Sequence, residues 1–394
     1  MPSTPLDEIQ RRIENLQSSM DSEGLDAALI VQRVDLFYFS GTGQDAHLFV
    51  PVDGDPQLLV RKSLERAVED SPLQAVSPIR KLSELQEKIQ ASIPGGLRRL
   101  GMELDVLPVN NFRMYQRLFP DAEIRDVSPL IRDLRMIKSG YELELIRRAA
   151  TMNDEVFALV RHILKEGMTE VEFAGLLEAE YRKRRHQGLG RLRQFNGDLF
   201  YGHVMSGSNL AVPSSSPGPT GGPGLNASFP QGAGDKIVAR GEPLQVDYVG
   251  ILDGYMVDQA RTYSIGSPDE KFLRIHETAR AIQDTLARMG KPGTVAEDLY
   301  NTAMEMAREA GWEEGFLGWP QPVAFVGHGV ALELDELPVI GRKSRTVLKE
   351  GMVIALEPKF IVPGEGLAGI ENTFLVTENG MKRITQFDDA IQVI

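Results

Sequence analysis

The sequence predicts a protein of two α/β domains. Its 394 residues exceed the roughly 100–200 residues that a single domain usually holds. The first part of the chain alternates strand-like apolar runs with amphipathic stretches, whereas from Ser139 onward long helical patterns precede strands separated by glycines. We therefore expect an N-terminal α/β domain over residues 1–135 and a second domain over residues 136–394.

The elements of the N-terminal domain follow from local periodicity. An amphipathic stretch from Leu6 to Glu23 predicts the first helix. Strands and one further helix are predicted, in order, at "LDAALIV", "HLFVPVDGDPQLLVRK", the helical "SLERAVED", and "RRLGMELDVLPV". Helices and strands that alternate in this way are typical of an α/β layer structure.

The second domain is predicted to contain two similar halves. Four helix starts carry a Ser or Thr followed three residues later by Glu, a pair that caps backbone N–H groups reciprocally. These pairs are Ser139/Glu142, Thr169/Glu172, Ser267/Glu270 and Thr294/Glu297, with Pro268 at the first helical position of the third. Each half then reads as two helices joined by a Gly-Thr turn and followed by strands, a weak internal repeat.

Composition restricts the classes of function. The contents of 42% hydrophobic and 25% charged residues are ordinary for a globular protein. A net charge of −13 disfavours nucleic acid as a partner, and the basic stretch 181–193 is interpreted as surface. The chain has no cysteine, no secretory signal pattern and no apolar run of about 18 residues. We expect a cytoplasmic protein that binds neither nucleic acid nor membranes.

A Pro/Gly/Ser-rich segment over residues 213–234 separates the two halves of the second domain. Segments of this length inside a compact domain are usually functional or disordered. Its glycines do not follow a strand and open a helix with dinucleotide-binding spacing. We interpret it as a surface loop or a lid over a site.

Two acidic residues converge on a predicted hairpin. The dipeptide Asp253-Gly254 between two strand-like runs is a strong turn signal. This turn places Asp258 opposite Val249, with Asp247 as its diagonal neighbour on the same face. Carboxylates this close on an otherwise apolar hairpin require a cation or a shared proton.

A second hairpin and a histidine complete an oxygen-rich set of candidate ligands. Strand-like runs on either side of "PGEG" bring Glu357 and Glu371 to nearly facing positions, and His328 interrupts the apolar run "AFVGHGVALELDELP". Taken singly, such a histidine is more often a core residue, and such an aspartate more often lies at a sheet rim. Four carboxylates and a histidine suit two divalent manganese, iron, cobalt or zinc ions better than one, because two ions nearly balance the charge.

These residues carry a family resemblance. The order Asp247, Asp258, His328, Glu357 and Glu371, at intervals of 11, 70, 29 and 14 residues, resembles the metal-ligand signature of the pita-bread metallopeptidases. That family includes methionine aminopeptidase, aminopeptidase P, prolidase and creatinase relatives. The stretches "DYVGILDGYMVDQART", "GHGV", "LEPKF" and "IENTFLVTENG" match it as well, and "LRMIKSGYELELIRRAA" resembles the junction with an N-terminal domain.

The resemblance implies a fold and an activity. The fold is an N-terminal creatinase-like α/β domain followed by a pseudo-symmetric pita-bread domain, and the assembly is a homodimer. All five residues are then ligands of two divalent metal ions, and a hydroxide that bridges the ions attacks a carbonyl carbon. Glu357 and His328 are the catalytic residues, with Glu357 carrying the proton to the leaving nitrogen. The implied substrate is a short peptide with proline after the scissile bond.

Other functions stay open at this point. Relatives of this fold include creatinase-like hydrolases and a lyase that act on small non-peptide molecules, so a small-molecule amide is an alternative substrate. A catalytically silent binding module is a further alternative, although such relatives tend to lose metal ligands.

The sequence departs from the family at positions implied to bind substrate. Where prolidases and aminopeptidases P usually carry a second histidine, seven residues after the ligand histidine, this chain has Asp335. Ser214 replaces a histidine that usually follows a proline, and Val339 lies near the position of an arginine that often holds the substrate carboxylate. His203, just before this region, is a further candidate for the substrate pocket. We therefore expect intact metal chemistry with altered substrate recognition.

Overall fold

The computed structural model describes residues 4–93 and 95–394, which form two compact units divided between Arg135 and Met136. Each unit combines helices with β-sheet, as the sequence predicts. Within the described part of the chain, no helix has both the length and the apolar character that a membrane span requires.

The first unit contains a six-stranded mixed sheet with helices around it. Its strands are β1 (Ala27–Ile30), β2 (Ala46–Pro51), β3 (Gln57–Val60), β4 (Val76–Pro78), β5 (Arg99–Met102) and β6 (Glu123–Asp126), in the order β4-β3-β2-β1-β5-β6. Its helices are α1 (Leu6–Ser22), α2 (Arg33–Ser40), α3 (Leu64–Asp70), α4 (Leu82–Ser92), α5 (Val109–Leu118) and α6 (Ser128–Met136). The strands β1 to β3 are antiparallel and the remaining pairs are parallel.

Apolar periodicity explains why this unit folds. Helix α1 buries Ile9, Ile13, Leu16 and Met20, which are spaced three or four residues apart and therefore lie on one face. All four residues of β1 are buried, as expected for a central strand covered on both faces.

The second unit begins with two helices and a four-stranded sheet. These are α7 (Gly140–Ile163), α8 (Glu170–Lys183), β7 (Gly202–Ser206), β8 (Leu244–Leu252) and β9 (Tyr255–Ser264), and the short C-terminal strand joins the sheet at β9. A one-turn 3₁₀ helix covers Gly207–Ala211. Buried aromatic residues such as Phe157 and Phe173 join the helices to the strands. Burial of one such ring contributes about 1.5–3 kcal/mol.

The second half repeats this order of elements. Helices α9 (Glu270–Met289) and α10 (Ala296–Glu309) and a 3₁₀ turn (Glu313–Gly315) precede the strands. The strands are β10 (Phe325–Gly329), β11 (Glu336–Gly341), β12 (Val353–Leu356), β13 (Lys359–Val362), β14 (Gly366–Gly369), β15 (Asn372–Thr377), β16 (Gly380–Arg383) and β17 (Gln392–Val393). Five of them form a sheet in the order β11-β10-β12-β15-β16, and β13 pairs with β14.

Only two of the four predicted capping boxes form. The pairs Ser139/Glu142 and Thr169/Glu172 make both reciprocal hydrogen bonds. The prediction for the third pair is wrong, because Asp269 caps α9 by accepting from the backbone N–H of Lys271 at 2.8 Å. Pro268 therefore precedes the cap instead of starting the helix. The predicted cap of α10 also fails, because the hydroxyl of Thr294 donates to Met289 O in the preceding turn.

Candidate metal centre and active site

The first hairpin positions two acidic residues as the sequence predicts. Strands β8 and β9 pair Leu252 with Tyr255, which leaves Asp253 and Gly254 as the turn with φ of 52° and 87°. Positive φ at both positions is what a two-residue type I′ turn requires. In the same register Asp258 lies opposite Val249, and Asp247 opposite Ala260.

A second hairpin and the neighbouring sheet bring three more side chains to the same place. Strands β13 and β14 pair Lys359 with Gly369, so Glu357 precedes one strand and Glu371 follows the other. His328 lies on β10, where it pairs with Ala355 of β12. The backbone N–H of Glu357, just after β12, also donates to Val326 O of β10 at 2.9 Å.

Three carboxylate oxygens surround one nitrogen of His328. Its Nε2 lies 3.8 Å from Asp258 Oδ2, 3.7 Å from Glu357 Oε1 and 3.8 Å from Glu371 Oε1. These distances exceed those of hydrogen bonds. They suit atoms that share one ion, because ligand oxygens and nitrogens lie about 2.0–2.2 Å from a divalent metal such as zinc.

Two further observations fit a metal at this position. Glu371 Oε1 is buried and has no hydrogen-bond partner. The Nδ1 atom of His328 lies 3.1 Å from Gly329 O, which can only accept a hydrogen bond. In the neutral ring the proton is therefore on Nδ1, and Nε2 keeps a free lone pair toward the carboxylates. Candidate ligand atoms of Asp258, His328 and Glu371 lie within 4.8 Å of one another.

The fourth carboxylate does not face His328. Asp247 instead accepts a hydrogen bond at 2.7 Å from Lys359 Nζ, which also donates to Glu357 Oε2 at 2.9 Å and Glu371 Oε2 at 2.7 Å. Lys359 is only 1% exposed. This lysine belongs to the stretch "LEPKF", for which the family resemblance implies no role of the lysine. The available signal was its position two residues after Glu357, because strand residues at this spacing point to the same face.

Burial and mutual repulsion shift the titration of this cluster. Burial, together with the charge of Asp247, raises the pKa of Asp258 to about 7. Burial also raises the pKa of Glu371 well above its usual range. Burial opposes the charged form of His328, but the carboxylates of Asp335, Glu357 and Asp258 outweigh it and raise the pKa of His328. Such crowded anions are stabilised by a bound cation.

Residues beside the ligands hold the backbone of the site in place. The hydroxyl of Thr373 accepts from Asp258 N at 2.9 Å and donates to Asp258 O at 2.8 Å. The buried guanidinium of Arg261 donates to Glu371 O at 2.8 Å and to Asn372 Oδ1 at 2.7 Å. Rigid backbone at both hairpins fixes the directions of the carboxylates.

A cavity of about 90 Å³ opens onto these side chains. His203 and Asp335 line it, as do Ser216 to Thr220 and Gln231 of the segment 213–234. The segment therefore forms part of the cavity wall, which agrees with its interpretation as a loop over a site. This volume is smaller than the roughly 300–1,000 Å³ of typical ligand pockets.

Two of the four candidate substrate residues, His203 and Asp335, line the cavity, and the other two do not. His203 Nδ1 lies 2.9 Å from Thr220 Oγ1, which in turn lies 3.5 Å from Asp247 Oδ2. Asp335 Oδ1 lies 3.5 Å from His328 Nδ1. Ser214 and Val339 are not among the residues that line the cavity. The Ser214 hydroxyl instead accepts from Ser216 N, and Val339 pairs with His328 across β10 and β11.

Comparisons with known proteins agree with this site. The profile of metallopeptidase family M24 matches residues 144–378, and that of the creatinase/prolidase N-terminal domain matches residues 12–137. The chain is 32% identical to the Xaa-Pro dipeptidase of Pyrococcus furiosus over 385 residues, which cover 96% of this chain and 98% of the relative. It is 30% identical to the Xaa-Pro dipeptidase of Pyrococcus horikoshii over 386 residues, which cover 97% and 98% of the two chains.

The fold comparison gives the same result. The crystal structure of the prolidase from Pyrococcus horikoshii superposes with a TM-score of 0.80 at 28% identity, covering 96% of this chain and 99% of the prolidase. The resemblance to pita-bread Xaa-Pro peptidases is thus confirmed, and the family implies divalent metal ions. The chain belongs to metallopeptidase family M24, as a metal-dependent peptidase with a creatinase/prolidase N-terminal domain.

Proposed function

We propose that this enzyme hydrolyses short peptides at the bond that precedes proline. The observation that carries the proposal is the cavity floor, where Asp258, His328, Glu357 and Glu371 direct ligand atoms to one position. Full-length similarity to Xaa-Pro dipeptidases supports the substrate class. Manganese, cobalt, iron and zinc all suit such a donor set.

The side chains have separate tasks in this reaction. A bound divalent ion supplies Lewis acidity, which polarises a carbonyl and lowers the pKa of water. Glu357 lines the cavity and is the proposed carrier of the proton from water to the leaving nitrogen. Its Oε2 accepts from Lys359 and its Oε1 faces His328 Nε2 at 3.7 Å, so both oxygens of this carboxylate are held in place. His328 keeps its orientation through the contact of Nδ1 with Gly329 O.

The negative charge of the cavity wall affects how well a substrate with a free C-terminal carboxylate can bind. No arginine is among the described residues that line it, and its one lysine, Lys359, is already bonded to three carboxylates. Asp198 and Asp335 add negative charge to the wall. We propose that a free C-terminal carboxylate is disfavoured, and that amidated or longer peptides are the better substrates.

A matched pair of substrates tests both the Xaa-Pro assignment and the preference against a free C-terminal carboxylate. We expect kcat/KM for an Xaa-Pro amide to exceed that for the free Xaa-Pro dipeptide about 10-fold, since charge repulsion of about 1.4 kcal/mol gives that ratio. Asp335→Asn should lower the ratio of kcat/KM for the amide to kcat/KM for the free acid. Asp284→Asn, on the exposed side of α9, should leave this ratio unchanged. Preference for the free acid would contradict the charge argument. Absence of cleavage of either substrate with every one of the four metals would overturn the Xaa-Pro assignment.

The remaining properties are proposed from the sequence and the family resemblance. The family resemblance implies two divalent ions by default, and we propose a homodimer in solution and a cytoplasmic location. Metal analysis of the purified protein, sedimentation velocity and cell fractionation test these in turn. The contacts of Lys359 with three carboxylates affect how many metal ions the centre can hold.

A further inference from the structure

The Lys359 ammonium has the contacts of a cation built into the centre. An ammonium offers three N–H donors, and here each meets a different carboxylate, those of Asp247, Glu357 and Glu371, at 2.7–2.9 Å. Its hydrogen-bonding capacity is therefore filled by the side chains that the family resemblance assigns to metal binding.

The carboxylate oxygens are divided between two cation positions. Glu357 and Glu371 each give Oε2 to Lys359 and turn Oε1 toward His328 Nε2. Asp247 gives Oδ2 to Lys359, whereas Asp258 Oδ2 faces the histidine. The two glutamates thus bridge two neighbouring positions. One position has the ligand geometry of a metal, and the other contains the ammonium.

The backbone fixes the lysine at this place. Lys359 begins β13, where it pairs with Gly369 and its carbonyl accepts from Leu317 N at 2.9 Å. A Cβ atom at Gly369 would lie 2.7 Å from Lys359 Cα and 2.9 Å from its Cγ. The stem of the lysine therefore packs against a glycine that leaves room for it, and this packing directs the ammonium into the centre.

From this geometry we propose that Lys359 takes the place of the second metal ion, so that the enzyme holds a single divalent cation at the His328 position. A metal bound to the same oxygens of Asp247, Glu357 and Glu371 would compete with the ammonium for their lone pairs. Four carboxylates with one ammonium and one divalent ion retain a single negative charge. The buried carboxylates are therefore nearly balanced in charge without a second divalent ion.

The metal content of purified protein tests this proposal. Wild type, Lys359→Ala, Lys359→Met and the exposed control Lys382→Ala are loaded with excess Mn²⁺, freed of unbound ion by gel filtration and measured by mass spectrometry of the metal. We expect about one ion per chain in wild type and the control, and about two in Lys359→Ala, where the three carboxylates regain free lone pairs. Electron paramagnetic resonance should show an isolated Mn²⁺ in wild type and an exchange-coupled pair in Lys359→Ala.

The outcomes separate this inference from the proposed function, on which it rests only in placing a metal beside His328. Two ions in wild type would overturn the inference, and this measurement needs no variant to fold. One ion in correctly folded Lys359→Ala and Lys359→Met would also overturn it. No bound ion in any protein would overturn both proposals. One ion in wild type without Xaa-Pro hydrolysis would support the inference and contradict the proposed substrate alone.

Discussion

Replacing Lys359 by methionine should destabilise the metal-free enzyme far more than the metal-loaded enzyme. The substitution keeps most of the side-chain volume but removes the charge that three buried carboxylates share at 2.7–2.9 Å. Removal of one partner from a buried ion cluster costs about 3–5 kcal/mol, because the remaining charges stay buried and uncompensated. For a unit of this size about 1 kcal/mol shifts Tm by about 2–4 °C, so the expected loss is about 6–20 °C.

Calorimetry of the chelated protein measures this loss. With Mn²⁺ present at about 100 times its dissociation constant, binding to the folded variant restores about 2.7 kcal/mol for each additional site. Tm of Lys359→Met should therefore recover toward wild type when Mn²⁺ is added, and exposed Lys382→Met should match wild type in both conditions. An equal loss of Tm with and without metal would show that Lys359 contributes packing alone and would refute the electrostatic reasoning.

Two other substitutions test the ligand set and the pH dependence. Asp258→Asn removes a charge and a ligand oxygen, so we expect turnover to fall at least about 100-fold with a loss of bound metal; unchanged metal content and activity would exclude Asp258 as a ligand. His186, whose Nε2 contacts Val249 O at 2.9 Å while Nδ1 accepts from Gly188 N, has a pKa that burial lowers to about 4. The pKa of His186 in the folded protein lies below its ordinary value near 6.5. The neutral ring therefore stabilises the fold fully above pH 6.5, and this contribution is lost as pH falls toward 4. Between pH 6.5 and pH 4, the free energy of unfolding measured in urea should fall by about 3 kcal/mol more in wild type than in His186→Gln. Parallel pH profiles of the two proteins would contradict this prediction.

Local sequence signals predicted the parts of the fold that local geometry decides. Asp253 and Gly254 specify a turn with positive φ at both positions, so the register of Asp258 against Val249 followed from two residues. The capping boxes were less reliable because competing partners lay close by. Asp269 caps α9 in place of the serine two residues earlier, and Glu297 Oε1 accepts from Lys343 N, which is distant in sequence.

The site shows the same division between local and long-range information. Spacing and motif brought Asp258, His328, Glu357 and Glu371 together, and all four meet at one position in the structure. Asp247 belongs to the same motif, although its contact is with Lys359. A lysine on a strand is usually exposed, and only the packing of two hairpins against each other encloses this one.

A tethered ammonium changes how the centre depends on its surroundings. The occupancy of a free ion follows its concentration, whereas an ammonium attached to the backbone of β13 is always present in the folded protein. Asp247 and one oxygen each of Glu357 and Glu371 therefore have a cationic partner before any metal binds. The metal then binds a centre whose bridging glutamates are already oriented, which lowers the ordering cost of binding. Such a centre should function at metal concentrations that leave a two-ion site half-filled, and a single binding step should describe its titration with Mn²⁺.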